Sequence, residues 1–498
     1  MKKLFMAVAV MLLAMGSGAV AQKLEIGDKD EFIRYEGSLL GMDENNYYVL
    51  VGYSYNKKDN YKGTVLYTYD KDLKIVDKTN IDDKTRKMAT ESFVTNNKLS
   101  MVHADYELAT LDCHVIDKAT KQCETKKYFY DDFSRKETAV LNTCKSPDDS
   151  LFFAMKTIIN DKDKSIRMSK MILFDNELNE LWQKDYFAPA ASMFLSNDGE
   201  ILSVGYINDD NGTATVRFSI ITGDDEVYFD ETISDMKIGD IEIANYKDGE
   251  LLLYGLVQAE PSKRHIKDRI YYSGLYAFTY NIKTQTIGKI NRYAFTTDDY
   301  KIFANMDSKN NCRDKDVCFL QSLDVLHTND GGAVVSYGVT YETLLRSQYG
   351  TSKYKNMGGL MLWRLKPDGT ILWNNGFKRN IATGLFENSW YTPHYITDND
   401  EVVFVIETHK KDKPDNASMA NVVVKYYRYE QNPVTGPFPS NITLVRFDKD
   451  GNVTKETMPG EKKMLIVGNP NIMDKGKAVF LYVSNKKSPG GLIRVDLK

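Results

Sequence analysis

Histidine, cysteine and proline are scarce in this 498-residue chain, and each scarcity narrows what it can do. The six histidines (His103, His114, His265, His327, His394 and His409) form no ligand-spaced pair, and no CxxC occurs among five cysteines, so no zinc site is expected. There is no HExxH, GxSxG or P-loop, which removes the common signatures of metalloproteases, α/β-hydrolases and nucleotide-triphosphatases. Carboxylate pairs such as Asp209-Asp210, Asp224-Asp225 and Asp298-Asp299 are adjacent rather than alternating, which suits turns better than calcium loops. No cofactor is expected. Twelve prolines build no Pro-rich linker, so residues 22–498 read as a single domain. Beyond the leader no apolar run is long enough to cross a bilayer.

Residues 1–21 have the form of a secretory signal: Lys2 and Lys3, an apolar stretch from Leu4 to Met15, and Ala19-Val20-Ala21 before Gln22. The expected location is therefore outside the inner membrane, most simply periplasmic, with secretion or surface attachment as alternatives. Without the leader 63 basic residues face 69 acidic ones, a net charge of −6, so no general nucleic-acid surface or membrane insertion is expected. An oxidising compartment permits disulfides. Cys312 and Cys318, in one loop with five residues between them, are the candidate pair. Cys113 and Cys123 flank a turn and are placed to face each other across it. Free or buried thiols are the alternative for all five cysteines.

Tyrosine is abundant, at 32 residues, and with few prolines it points to β-structure. The stretch Met171 to Phe187 reads as strand, turn, strand, with Asp175-Asn176-Glu177 at the reversal. The same unit recurs at Tyr69-Asp70, Ile116-Asp117, Ile221-Thr222, Tyr280-Asn281, Leu365-Lys366, Phe447-Asp448 and Val495-Asp496. The steps between these turns are 47, 58, 47, 59, 85, 82 and 48 residues. A second hairpin precedes each unit, as at Asn197-Asp-Gly199, Lys247-Asp-Gly249 and Asn329-Asp-Gly331. From Asn97 through Asp149 and Gly199 to Gly249 its steps are 52, 50 and 50 residues.

Two independent markers with one period, and four strands per period, resemble the β-propeller repeat proteins of the exported bacterial type. Phe447-Asp448-x-x-Gly451 and the hairpin Asp368-Gly369-Thr-Ile-Leu-Trp373 carry that resemblance. It implies an all-β ring of eight four-stranded blades, with seven as the alternative. The last unit ends at its third strand, so the segment Lys23 to Tyr35 is expected to supply the missing outermost strand and close the ring. Trp182 and Trp373, seven residues past Asp175 and Lys366, are expected to pack between neighbouring blades, and Trp→Ala to cost about 3–5 kcal/mol if they are fully buried.

Insertions mark where function sits on such a scaffold. The long loops are 258–272, 296–318, 341–357 and 409–440. Each joins second to third strands or one blade to the next, and these connections share one face. They are basic and rich in tyrosine, on an acidic chain. Arg264, Arg269, Tyr272, Arg346, Tyr349, Tyr354, Lys425 and Arg428 are the candidate ligand-binding residues. The reading is a non-catalytic binder of a protein, peptide or anionic glycan, of unknown oligomeric state. A glycan-active lyase or hydrolase, or a structural envelope component, is the alternative. An enzyme would need acids or histidines from several blades at the channel mouth, where His103 with Asp105 and His327 with Asp330 are candidates.

Overall fold

A strand that is apolar along its whole length needs cover on both faces. The second strand of the fifth repeat, Glu250–Gln258, is one: Leu251 and Leu253 pack against the fourth repeat, whereas Leu252, Tyr254 and Leu256 pack against the sixth. Stacking eight sheets around an axis supplies that cover at every step. The computed structural model describes residues 24–30 and, from 37 to 497, all but 53–63, 82–88, 188–190, 261–268, 304–316, 348–349, 378–379, 385–393, 409–424, 429–440, 460–463, 485–489 and residues 107, 132, 135, 164 and 210.

Blades 1 to 7 span 37–81, 91–128, 137–185, 192–233, 242–294, 320–377 and 394–459; blade 8 spans 464–496 together with 24–30. Every blade contains a four-stranded antiparallel core, and the first strands touch one another around the axis. The hydrophobic core is divided into eight layers, one between each pair of neighbours. Phe93, Val102 and Leu111 of blade 2 meet Phe152, Ile172 and Phe174 of blade 3. Tyr47, Val65 and Tyr67 of blade 1 meet Val479, Leu481 and Leu492 of blade 8.

Closure follows the sequence expectation. Leu24–Asp30 pairs antiparallel with Gly490–Asp496, Leu24 opposite Val495 and Ile26 opposite Ile493. Arg494 donates through Nε to Glu25 at 2.7 Å and through its guanidinium to the Lys71 carbonyl of blade 1 at 2.6 Å. Asp28 reaches blade 1 as well, receiving the Ile75 amide at 3.0 Å.

The two faces of the ring differ. One carries the tight turns within hairpins, and aspartates hold them by accepting backbone amides. Asp175 receives Glu177 and Asn179, both at 2.9 Å; Asp448 receives Asp450 at 2.9 Å and Asn452 at 2.8 Å. The other face carries the inserted connections, and two of these are more ordered than loops. Residues 341–357 continue the second and third strands of blade 6, Ala333–Ser347 and Gly350–Leu365, as one long hairpin ending at Ser347 opposite Gly350. The 296–318 segment contains the helix Thr297–Phe303 and the short strand Val317–Cys318, which pairs with Tyr271 and Tyr272. Asp299 holds the helix in place by accepting the Tyr293 hydroxyl at 2.6 Å and the Asn374 amide at 2.9 Å.

Two expectations need correction, and the packing of Trp182 and Trp373 between blades is met with partial burial. Cys113 and Cys123 do not face each other: Cys113 lies opposite Lys126 and Cys123 opposite Ile116. They are three positions off one register row and pack into different inter-blade layers. His103 and Asp105 belong to the second strand of blade 2, away from the axis. The tryptophans do pack across blade boundaries, but only half-buried. Trp182 leans on Gly223 of blade 4. Trp373 stacks on Phe447 of blade 7 at 6.4 Å and donates Nε1–H to the Lys449 carbonyl at 2.9 Å. Gly451 is required beneath Trp373, because a Cβ there would stand 2.8 Å from its Cγ.

Deleting residues 23–35 is expected to lower the melting temperature and promote association through the exposed edge of Gly490–Asp496, measured by calorimetry and light scattering. Trp373→Ala is expected to destabilise by less than the ~3–5 kcal/mol of a fully buried aromatic, measured by denaturant unfolding.

Candidate functional site

The inserted connections widen the sheet of blade 6 to six strands. The extended hairpin of that blade pairs through Tyr354–Met357 with Asn380–Gly384, from the connection to blade 7. Asn380–Gly384 pairs in parallel with Lys425–Arg428, from the insertion inside blade 7. Tyr354 lies opposite Gly384, Lys425 opposite Asn380, and Glu342, Lys355, Thr383 and Arg428 fall in one register row. Arg346, opposite Thr351, is eight residues before Tyr354 in the chain but only three rows nearer the hairpin tip, about 10 Å along the strand. Segments more than seventy residues apart thus meet in one sheet.

The other candidates sit differently. Arg269, in the blade 5 insertion, stacks its guanidinium over the exposed Phe319 ring at 4.8 Å. Tyr272 is half-buried against Gly239 and the layer between blades 5 and 6; burial, and then Asp240, push its hydroxyl up to about 12. It is a packing residue as much as a surface one. Arg264, Tyr349 and Cys312 lie outside the described residues, so the Cys312–Cys318 pairing does too; Cys318 itself is buried.

A second concentration of chemistry, not found by sequence reasoning, lies on the axis. A cavity of about 320 Å³ is lined by Lys145 of blade 3, Phe194 of blade 4, Glu242 and Tyr254 of blade 5, and Asp324 and His327 of blade 6. His327, a candidate for the channel, lines the cavity; its companion Asp330 instead accepts from Arg364 at 2.8 Å. Lys145 stands 3.6 Å from Glu91 and 2.7 Å from Asp149. Asp324 stands 3.0 Å from His394 Nε2. Tyr254 and Ser322 share a hydrogen bond of 2.8 Å.

Burial dominates the electrostatics. It raises the Glu91 carboxyl even beside Lys145, and lowers His327. Burial opposes the charge of Lys145, but Glu91 and Asp149 outweigh it and hold the ammonium above the ordinary lysine range. Glu242 is pushed up to about 8, first by burial and then by the neighbouring Asp240. Asp240 is raised by burial too, although it accepts the Tyr337 hydroxyl and the Ile241 amide, both at 3.0 Å. Among the described residues no group of three His, Cys, Asp or Glu side chains could hold a metal ion.

A recurring position could have revealed Glu242 and Asp324 of this lining, and Glu91 and Ser192, which contact the lining residues Lys145 and Glu242. Glu91, Ser192, Glu242 and Asp324 each stand six residues before a hairpin-turn residue, Asn97, Asp198, Asp248 and Asp330 respectively.

No protein-family model matches the sequence, and no curated protein matches it. Solved structures match in shape. The polysaccharide lyase Uly1 is 10% identical, over 82% of this chain and 89% of that one, with a TM-score of 0.35. The WD40 domain of SCAP from fission yeast is 8% identical, over 96% and 98%, with a TM-score of 0.35. The β-propeller domain of the Trilobed protease from Pyrococcus furiosus is 12% identical, over 83% and 95%, with a TM-score of 0.31. What the chain shares with the last two is the propeller fold. Likeness at this level assigns no activity.

Glu242 makes stability depend on pH. Unfolded, it ionises near 4.5; folded, it keeps its proton up to about 8. Between these values the folded state binds the extra proton, so stability falls as pH rises, by at most about 1.4 kcal/mol per pH unit, and levels off above. Glu242→Gln is expected to fold, to lose this part of the slope, and to gain most over wild type above pH 8, measured as melting temperature against pH.

Proposed function

We propose that the protein is an exported, non-catalytic propeller that captures an anionic protein, peptide or glycan on its insertion-bearing face. The observation that carries this reading is the widened sheet of blade 6. Connections from blades 6 and 7 pair so that Tyr354, Lys425 and Arg428 belong to one surface element instead of three separate loops. Strands hold such residues at fixed spacing, which suits recognition better than independent loops do. Arginine and tyrosine are favoured at binding hot spots, and arginine offers paired donors to carboxylate or sulfate. The leader supports export. No described helix is long and apolar enough to cross a membrane.

A second reading, a glycan-active enzyme, draws on Glu242, which holds its proton near neutral pH as a general acid must. Comparing polysaccharide turnover by wild type and Glu242→Gln addresses it; loss of a measurable turnover in the variant would favour the enzyme.

The leading reading is tested with a glycan array and with immobilised heparin as the anionic probe. Binding is expected, weakening as salt rises because exposed charges are screened. Replacing 409–440 by a short turn should reduce it at least tenfold with the circular dichroism spectrum unchanged. Unaltered affinity and salt dependence in the shortened protein would place the site elsewhere.

A further inference from the structure

The axial cavity presents a charge problem that the capture surface does not address. Its lysine is already satisfied, since Lys145 faces Glu91 and Asp149. Asp324 faces His394. Glu242 has no such partner. It opens the first strand of blade 5, lines the cavity, and is hydrogen-bonded to Ser192, but among the described residues no Lys, Arg or His pairs with it. Ionised, a carboxylate here would lack a counter-charge, which is costly, and an acid kept in the cavity without a cationic partner calls for a reason.

The surroundings specify what would satisfy it. Phe194, half-buried, lines the same cavity, and aromatic faces attract cations, most strongly where water is excluded. A carboxylate pairs best with an ammonium or a guanidinium. The described side chains do not converge three at a time as metal ligands do. At about 320 Å³ the cavity is at the lower end of small-molecule sites, which begin near ~300 Å³. We propose that the axial cavity binds a small organic cation, its ammonium or guanidinium group on Glu242 and its carbon skeleton against Phe194.

The occupant relieves what burial imposes. With the cation bound, Glu242 is ionised and paired, and Asp240 no longer faces an unpaired neighbour. Lys145 stays with Glu91 and Asp149, so the far wall does not repel the ligand. None of the candidate residues of the capture surface lines this cavity, so the two sites stand or fall separately.

Titration calorimetry of the chain from Gln22 to Lys498 tests this, at pH 8.5 and again at pH 9.5. The probes are butylguanidinium and butylammonium, with butylurea as the uncharged isostere of the first. One saturable site is expected for at least one of the two cations and none for butylurea. Glu242→Gln should weaken binding at least tenfold while melting no lower than wild type. Glu242→Asp should retain most of the affinity, and Phe194→Leu should lose a few-fold. Equal binding of butylurea would overturn the proposal. So would undiminished affinity in a folded Glu242→Gln, binding of Ca²⁺ or Mg²⁺ with neither organic cation, or no binding by any probe.

Discussion

Apolar packing between neighbouring blades is the interaction on which the rest of this structure depends. No blade can bury both faces of its own central strands, and each layer draws its residues from two repeats. Cover is complete only when the ring is closed, which gives the strand Leu24–Asp30 an importance beyond its seven residues. It completes blade 8 and ties it to blade 1 through Arg494, Asp28 and the shared layer of Tyr47 and Leu481. The half-buried tryptophans seal the rim of two layers, where the outer strand of one blade meets a turn of the next.

A ring held this way leaves its two faces free to diverge. The turn face is constrained, because each hairpin reverses within a few residues and an aspartate satisfies the exposed amides. The opposite face has no such limit, and there the connections lengthen. Around blades 6 and 7 the additions form backbone hydrogen bonds with one another, so that they extend the scaffold instead of draping over it.

The axis follows a different logic. First strands of blades 3 to 6 bring residues towards a common space, and burial there changes what those residues are. Glu242 at the cavity wall holds a proton that an exposed glutamate would lose. Lys145 keeps its charge only because Glu91 and Asp149 flank it. The same side chains on the outer strands would be ordinary solubilising groups.

Much of this architecture was determined by the sequence alone. The recurrence of Asp70, Asp117, Asp175 and Asp448, with apolar runs at a period of about fifty residues, reports local events, a turn and a strand, that a few neighbouring residues decide. The incomplete last repeat implied a strand from the far end of the chain, because an unpaired edge is unfavourable. Tertiary structure decided what depends on distant partners. The parallel pairing of Asn380–Gly384 with Lys425–Arg428 leaves no local pattern, since neither segment specifies the other. Cys113 and Cys123 flank a turn, yet register and the blade faces separate them. Glu91, Lys145, Glu242 and Asp324 look like any charged residues in a strand. Only the closed ring decides that Lys145, Glu242 and Asp324 share one cavity and that Glu91 stands beside it, because the blades that surround them come from distant parts of the chain.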